Sequence, residues 1–156
     1  MVAILEWLEQ SLISVYIRQS LWIYPFLEII HILGIAVLVG AAFLFDLRLL
    51  GFSKYLDLHQ LANHLLPWSA RGLLLIVPSG VLLFATNAKS LGFDQVFWLK
   101  MILLLIAGIN VLVFHKVLLE RQKDRIMENQ ISLKTSAILS IFLWISIIAC
   151  GRLLAY

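Results

Sequence analysis

The chain has 156 residues, 62% of them apolar and only 13% charged, with a mean hydropathy of +0.99. That composition excludes a water-soluble globule, and because one crossing uses about 20 apolar residues, four or five crossings of a single membrane domain exhaust the length. Twelve Lys and Arg against nine Asp and Glu leave a net charge of +3, but the cations are scattered around apolar runs and form no continuous stripe, which argues against a nucleic-acid partner.

In chain order, the first 19 residues carry Glu6 and Glu9 where a secretion signal has cations, and they lack a small-residue cleavage site. Leu5, Leu8, Leu12 and Tyr16 recur at helical spacing, with Glu9 and Ser14 off that line, which predicts an amphipathic helix lying in the headgroup region over about 1–19. Four apolar spans follow, at about 21–45, 72–88, 96–114 and 135–156, and because backbone groups in hydrocarbon must pair within their own segment they are read as helices. The expected fold is an all-α integral membrane four-helix bundle. Pro78 should kink the second span, and His59 falls in the loop before it. Cys150, the single cysteine, excludes an internal disulfide and a cysteine-rich zinc or iron–sulfur site. No internal repeat interrupts the pattern.

Orientation follows from the cations between spans. Arg48, Lys54, Arg71, Lys116, Arg121, Lys123, Arg125 and Lys134 fall on one side, against Arg18 and Lys89 on the other, with Lys100 and Arg152 deeper. Both termini should face outward, into the periplasm of a bacterial host with the chain in its inner membrane. Trp22, Tyr24 and Trp98 would form the outer aromatic belt and Trp68 part of the inner one.

Helical rise converts sequence offset into depth. Glu28, Lys100 and Arg152 fall roughly 7–11 Å outward of the midplane, with His31 somewhat deeper. Glu28 and His31 are three residues apart and share a face, and Gly34, three further on, would leave room beside it for a flat group. Ionisable residues within a span are functional candidates by default. An imidazole with two cations suits a haem, whose iron takes histidine and whose propionates take lysine or arginine. The bland alternatives are that Lys100 and Arg152 snorkel to the headgroups and that Glu28 pairs with one of them. On the inner side stand His64, before the second span, and His115, at the end of the third. The pair is read as a second haem or metal site, or as two interfacial histidines. His31 and His115 sit roughly 16 Å apart in depth, too far for one iron. Asp46 and Arg48 are expected to form an ion pair that closes the helix end.

Several motifs carry a resemblance: Tyr24-Pro25-x-x-Glu28-x-x-His31-x-x-Gly34, Asp46-Leu47-Arg48-Leu49-Leu50-Gly51, Pro67-Trp68, Leu99-Lys100 with Asn110 and Phe114-His115, and Gly151-Arg152-x-x-Ala155-Tyr156. Over about residues 20–156 the chain resembles a bacterial family of small four-helix membrane proteins of unknown function. More distantly, a histidine early in the first span and Trp98-Leu99-Lys100 opening the third are similar to HemJ-type protoporphyrinogen oxidases and copper-resistance D-type membrane proteins. The HemJ-type resemblance implies a b-type haem in the bundle, with His31 as axial ligand and Lys100 near the cofactor. The closer resemblance adds Asn110, His115 and Arg152 as site candidates.

The leading expectation is a membrane b-type cytochrome that transfers electrons with quinone or a periplasmic redox partner, or acts as a haem-dependent oxidoreductase. His31, His115 and His64 are the candidate metal ligands, and Lys100, Arg152, Glu28 and Asn110 complete the cofactor candidates. The competing expectations are transport or binding of a metal ion or small anion, and a non-catalytic assembly subunit packing through Ala36 and Gly40. Copper would call for clustered methionine or cysteine, whereas Met1, Met101 and Met127 are dispersed. Beyond the lipid bilayer, copies of the same chain are the expected partners. No dinucleotide fingerprint, phosphate loop or serine–histidine–acid order is present.

Overall fold

A computed structural model describes residues 2–53, 55–120 and 130–154, and side chains over all of these except 113–120 and 130–132. The protein is all-α: α1 (Val2–Glu9), α2 (Leu12–Gln19), α3 (Ile23–Leu50), α4 (Leu58–Thr86), α5 (Ala88–Phe93), α6 (Gln95–Glu120) and α7 (Gln130–Leu153). Four of these are long and apolar enough to cross a membrane, at Ile23–Leu50, Leu58–Thr86, Gln95–Leu112 and Leu133–Leu153. The chain forms two compact units, Met1–Ala41 with His64–Gln95 (unit 1) and Ala42–Asn63 with Val96–Tyr156 (unit 2).

In unit 1, α3 and α4 pack as an antiparallel pair in continuous register. Gly72 meets Leu38, Gly34 meets Gly72, Leu75 and Ile76, His31 meets Ser79 and Gly80, and Tyr24 meets Asn87. The two backbones touch at the glycines: a Cβ on Gly72 would lie 2.9 Å from the Gly34 carbonyl oxygen and 2.9 Å from the Leu38 nitrogen. With lipid on the outside there is no hydrophobic gain in pairing two apolar helices, so close backbone approach supplies the attraction, and only glycine permits it. The room expected beside Gly34 for a flat group is therefore taken by α4.

The predicted amphipathic helix over 1–19 is two helices. Ser11 breaks it by starting α2 as its N-cap, accepting from the Ser14 N–H at 3.3 Å. The second half keeps its apolar line outward and its small polar residue inward. Leu12 and Tyr16 are 91% and 67% exposed, while Ser14 is buried with its hydroxyl donating to the Leu8 carbonyl at 2.9 Å. α1 docks on α5, with Leu5 over Gly92. Asn87, the N-cap of α5, turns its amide to Tyr24 and Thr86, and the Glu9 carboxylate takes over the cap by accepting the Lys89 N–H at 3.1 Å. Lys89 Nζ pairs with Glu6 at 2.8 Å and Arg18 with Glu9 at 3.0 Å. Hydrogen bonding to Glu6 raises the Lys89 pKa, so that on the lysine side this pair is intact at all pH values below the ordinary lysine range and is lost only as pH climbs through the raised value.

In unit 2, α3 ends in a glycine stop. Gly51 has φ 105°, its N–H bonds the Arg48 carbonyl, and the Phe52 N–H reaches back to Leu47. Asn110 on α6 pairs with Ser136 on α7, whose hydroxyl donates to Oδ1 at 2.8 Å. α7 supplies most of the buried positions, Ala137, Leu143, Trp144, Ile147 and Cys150 among them.

Boundaries depart most at the second span, expected over 72–88. α4 begins at Leu58, because Asp57 caps it through the Gln60 N–H at 3.0 Å and the polar first turns still make helix outside the apolar stretch. His59, His64 and Arg71 accordingly stand on a helix, and Arg71 covers the Trp68 ring at 4.7 Å. Pro67 and Pro78 both lie inside α4, which continues through them. Of the cations used for orientation, Lys54, Arg121, Lys123 and Arg125 lie outside the described residues, as do Ala155 and Tyr156.

Gly72→Ala should lower the melting temperature in detergent by the equivalent of about 1–3 kcal/mol, because the added methyl meets backbone on α3. Gly40→Ala, where a Cβ has nothing within 4 Å, should be neutral or stabilising. Glu9→Ala should cost about 0.5–2 kcal/mol of cap stability, read as faster hydrogen exchange across α1 and α5 with little change in α6 and α7.

Candidate functional site

The group best defined by its surroundings is the imidazole of His31, in the N-terminal half of α3. Its Nδ1 lies 2.9 Å from Ser79 Oγ on α4. A serine hydroxyl has one proton, and the Ser79 proton is engaged with the carbonyls of Leu75 at 2.6 Å and Ile76 at 3.2 Å. Toward His31 the oxygen must therefore accept. The His31 proton then sits on Nδ1, and in the neutral ring the lone pair sits on Nε2. A histidine ligand to a metal is oriented in this way, with one ring nitrogen fixed by an outer partner so that the other faces the metal.

Two adjacent residues of α4 make this arrangement possible. Ser79 is buried, and Gly80 clears the space the ring occupies. A Cβ at Gly80 would come within 3.0 Å of His31 Cε1. Nearer the start of α3, the Tyr24 hydroxyl accepts from Asn87 Nδ2 at 3.3 Å and hydrogen-bonds Glu28 on its own helix. Glu28 is exposed on α3.

Unit 2 holds the predicted cations. Lys100 is half-buried on α6, its Nζ 3.6 Å from where a Gly151 Cβ would stand and close to Cys150. Arg152 is exposed near the end of α7. Asn110 has both ends of its amide on Ser136, at 2.8 Å and 3.4 Å, and is a fastener between helices rather than an open polar group. Asp46 does not pair with Arg48: it takes the Ser140 hydroxyl, while Arg48 Nε donates to the Leu56 carbonyl at 2.7 Å and so ties down the turn after α3. Two residues apart on a helix, the carboxylate and the guanidinium point in different directions.

His64 is exposed on α4. His115 belongs to α6 with its side chain outside the described residues, so an inner His64–His115 site is neither assembled nor dismantled. Among the described residues no group of three or more His, Cys, Asp or Glu could hold a metal ion.

Sequence reading singled out His31 and did not name the residues it meets. The available signal was Pro78-Ser79-Gly80, three consecutive poor helix formers in an apolar span, a run that makes sense only where another helix comes close. Histidine-selective nitrogen NMR should show His31 as the Nδ1-protonated tautomer, and Ser79→Ala should shift the two ring nitrogens toward a mixed population. Gly80→Ala should displace the ring and shift the same signals.

Comparison with curated proteins and with solved structures found no match to the chain. A family model does match it, over residues 4–156, and so takes in α1 and α2 as well as the four membrane helices. The chain belongs to the family of unknown function DUF6644.

Proposed function

We propose that the protein is a b-type haem protein of the membrane that transfers electrons, with His31 as the residue that would hold the iron. The observation that carries this reading is the hydrogen bond from His31 Nδ1 to Ser79 Oγ, whose own proton is engaged by Leu75 and Ile76. It fixes the orientation and the tautomer of the ring. A bare metal ion needs several protein ligands, and no such group occurs among the described residues. A porphyrin brings its equatorial nitrogens with it and needs only one or two from the protein, so haem is the metal centre that a single oriented histidine can hold. When bound, haem supplies a one-electron couple at its iron.

The chain's own residues would bind and tune it. Ser79 raises the basicity of the ligating nitrogen through Nδ1–H, and Gly80 admits the ring. The Gly34 face is closed to the porphyrin by α4. Positive charge on the loops after α3 and α6 supports an inner-membrane orientation with both termini in the periplasm, where a quinone or periplasmic carrier would be the redox partner. Self-association is part of the same reading.

Protein purified from haem-sufficient cells should show a Soret band and a pyridine haemochrome of type b. His31→Ala should abolish the band. Ser79→Ala should keep haem but move its reduction potential or lower its affinity about 10–100-fold, and His64→Ala should leave the His31 component in place. Colourless wild-type protein after haem reconstitution would overturn the reading.

A further inference from the structure

Unit 2 contains two buried polar atoms without a hydrogen-bond partner among the described residues, Asp46 Oδ2 and Trp144 Nε1. Both residues are only 7% exposed, in helices that cross the membrane. A polar atom in that position cannot turn to bulk water, so each calls for a specific partner.

Their placement relates them. The Ser140 hydroxyl on α7 hydrogen-bonds Asp46, which brings that face of α7 against the end of α3. Trp144 follows Ser140 by four residues, one turn on along the same buried face, and helical side chains lean back toward the N-terminus, so the indole returns toward the level of Ser140. α3 and α7 are the first and fourth crossings and run in opposite directions. The residue one turn before Asp46, Ala42, is therefore level with Trp144.

One orphan is an acceptor and the other a donor. An anion would suit the indole N–H and be repelled by the carboxylate. A metal cation would suit the carboxylate and leave the N–H unmet. A molecule that both donates and accepts serves both, and a site within one turn of helix, about 6 Å, admits only a small one. We propose that Asp46, Ser140 and Trp144 form a binding site for a single water molecule inside the membrane-spanning part of unit 2, which accepts the Trp144 N–H and donates to Asp46 Oδ2. With the Ser140 hydroxyl as a further neighbour, the guest reaches the roughly three hydrogen bonds that buried waters make. The site lies in a different unit from His31 and does not depend on haem.

The test uses the full chain in lipid nanodiscs. The wild-type minus Trp144→Phe difference in ultraviolet resonance Raman isolates the Trp144 indole, and its N–H marker should read as hydrogen-bonded; a bare N–H overturns the proposal. Infrared difference spectra should show a water O–H stretch that shifts on exchange into oxygen-18 water and vanishes in Trp144→Phe. A bonded N–H without that isotope-sensitive band means a direct Asp46–Trp144 bond and also overturns it. Asp46→Asn, which keeps the side-chain shape, should shift the Trp144 marker, and an unchanged marker counts against a shared guest. Should Asp46→Asn fail to fold, the wild-type and Trp144→Phe pair still decides the question.

Discussion

The contact on which unit 1 depends is the approach of α3 and α4 at Gly34 and Gly72, where backbone meets backbone. In a bilayer the outside of a helix is as apolar as the inside of the protein, so packing has to come from shape and from polar groups rather than from escape out of water. Once the two glycines are in contact, the antiparallel register is set over the whole pair. That register carries His31 to Ser79 and Gly80 and carries Tyr24 to Asn87. The imidazole is thus held by a scaffold whose decisive residues lie one turn and more away from it.

The same scarcity of partners explains the other polar residues. Each polar side chain in a crossing has to be served by a helix carbonyl, a neighbouring side chain or a bound molecule. Ser79 and Thr86 turn to carbonyls of their own helix, Asn110 turns to Ser136, and Asp46 turns to Ser140. Outside the crossings, where water competes, charges pair across longer sequence distances: Glu6 and Glu9 reach Lys89 and hold α1 on α5. Two solvents, lipid and water, therefore produce two kinds of polar contact in one small chain.

Much of the fold was legible because hydrocarbon enforces a simple rule: a long apolar run must be helical. The four crossings follow from that rule, and so does the functional weight placed on His31. The ends of the crossings were less legible. α4 starts at Leu58 because Asp57 caps it and polar residues such as His59 and Gln60 make helix as well as loop, and hydropathy does not register either fact. The division of the N-terminal segment was hidden for a related reason, since the Ser11 cap starts a new helix within a continuous apolar pattern.

Composition and spacing by themselves determined that this is a multi-crossing helical membrane protein, that its crossings carry rare ionisable groups, and that His31 is one of them. All three follow from local properties, apolar length and the cost of charge in lipid, which need no partner helix to evaluate. Tertiary structure decided which groups those residues meet: Gly34 meets α4 and not a flat ligand, Asp46 meets Ser140 and not Arg48, and His31 meets a serine that dictates where its proton sits. Such pairings depend on the rotation and register of one helix against another. Those quantities are set by a few close contacts distant in sequence, and no single span contains them.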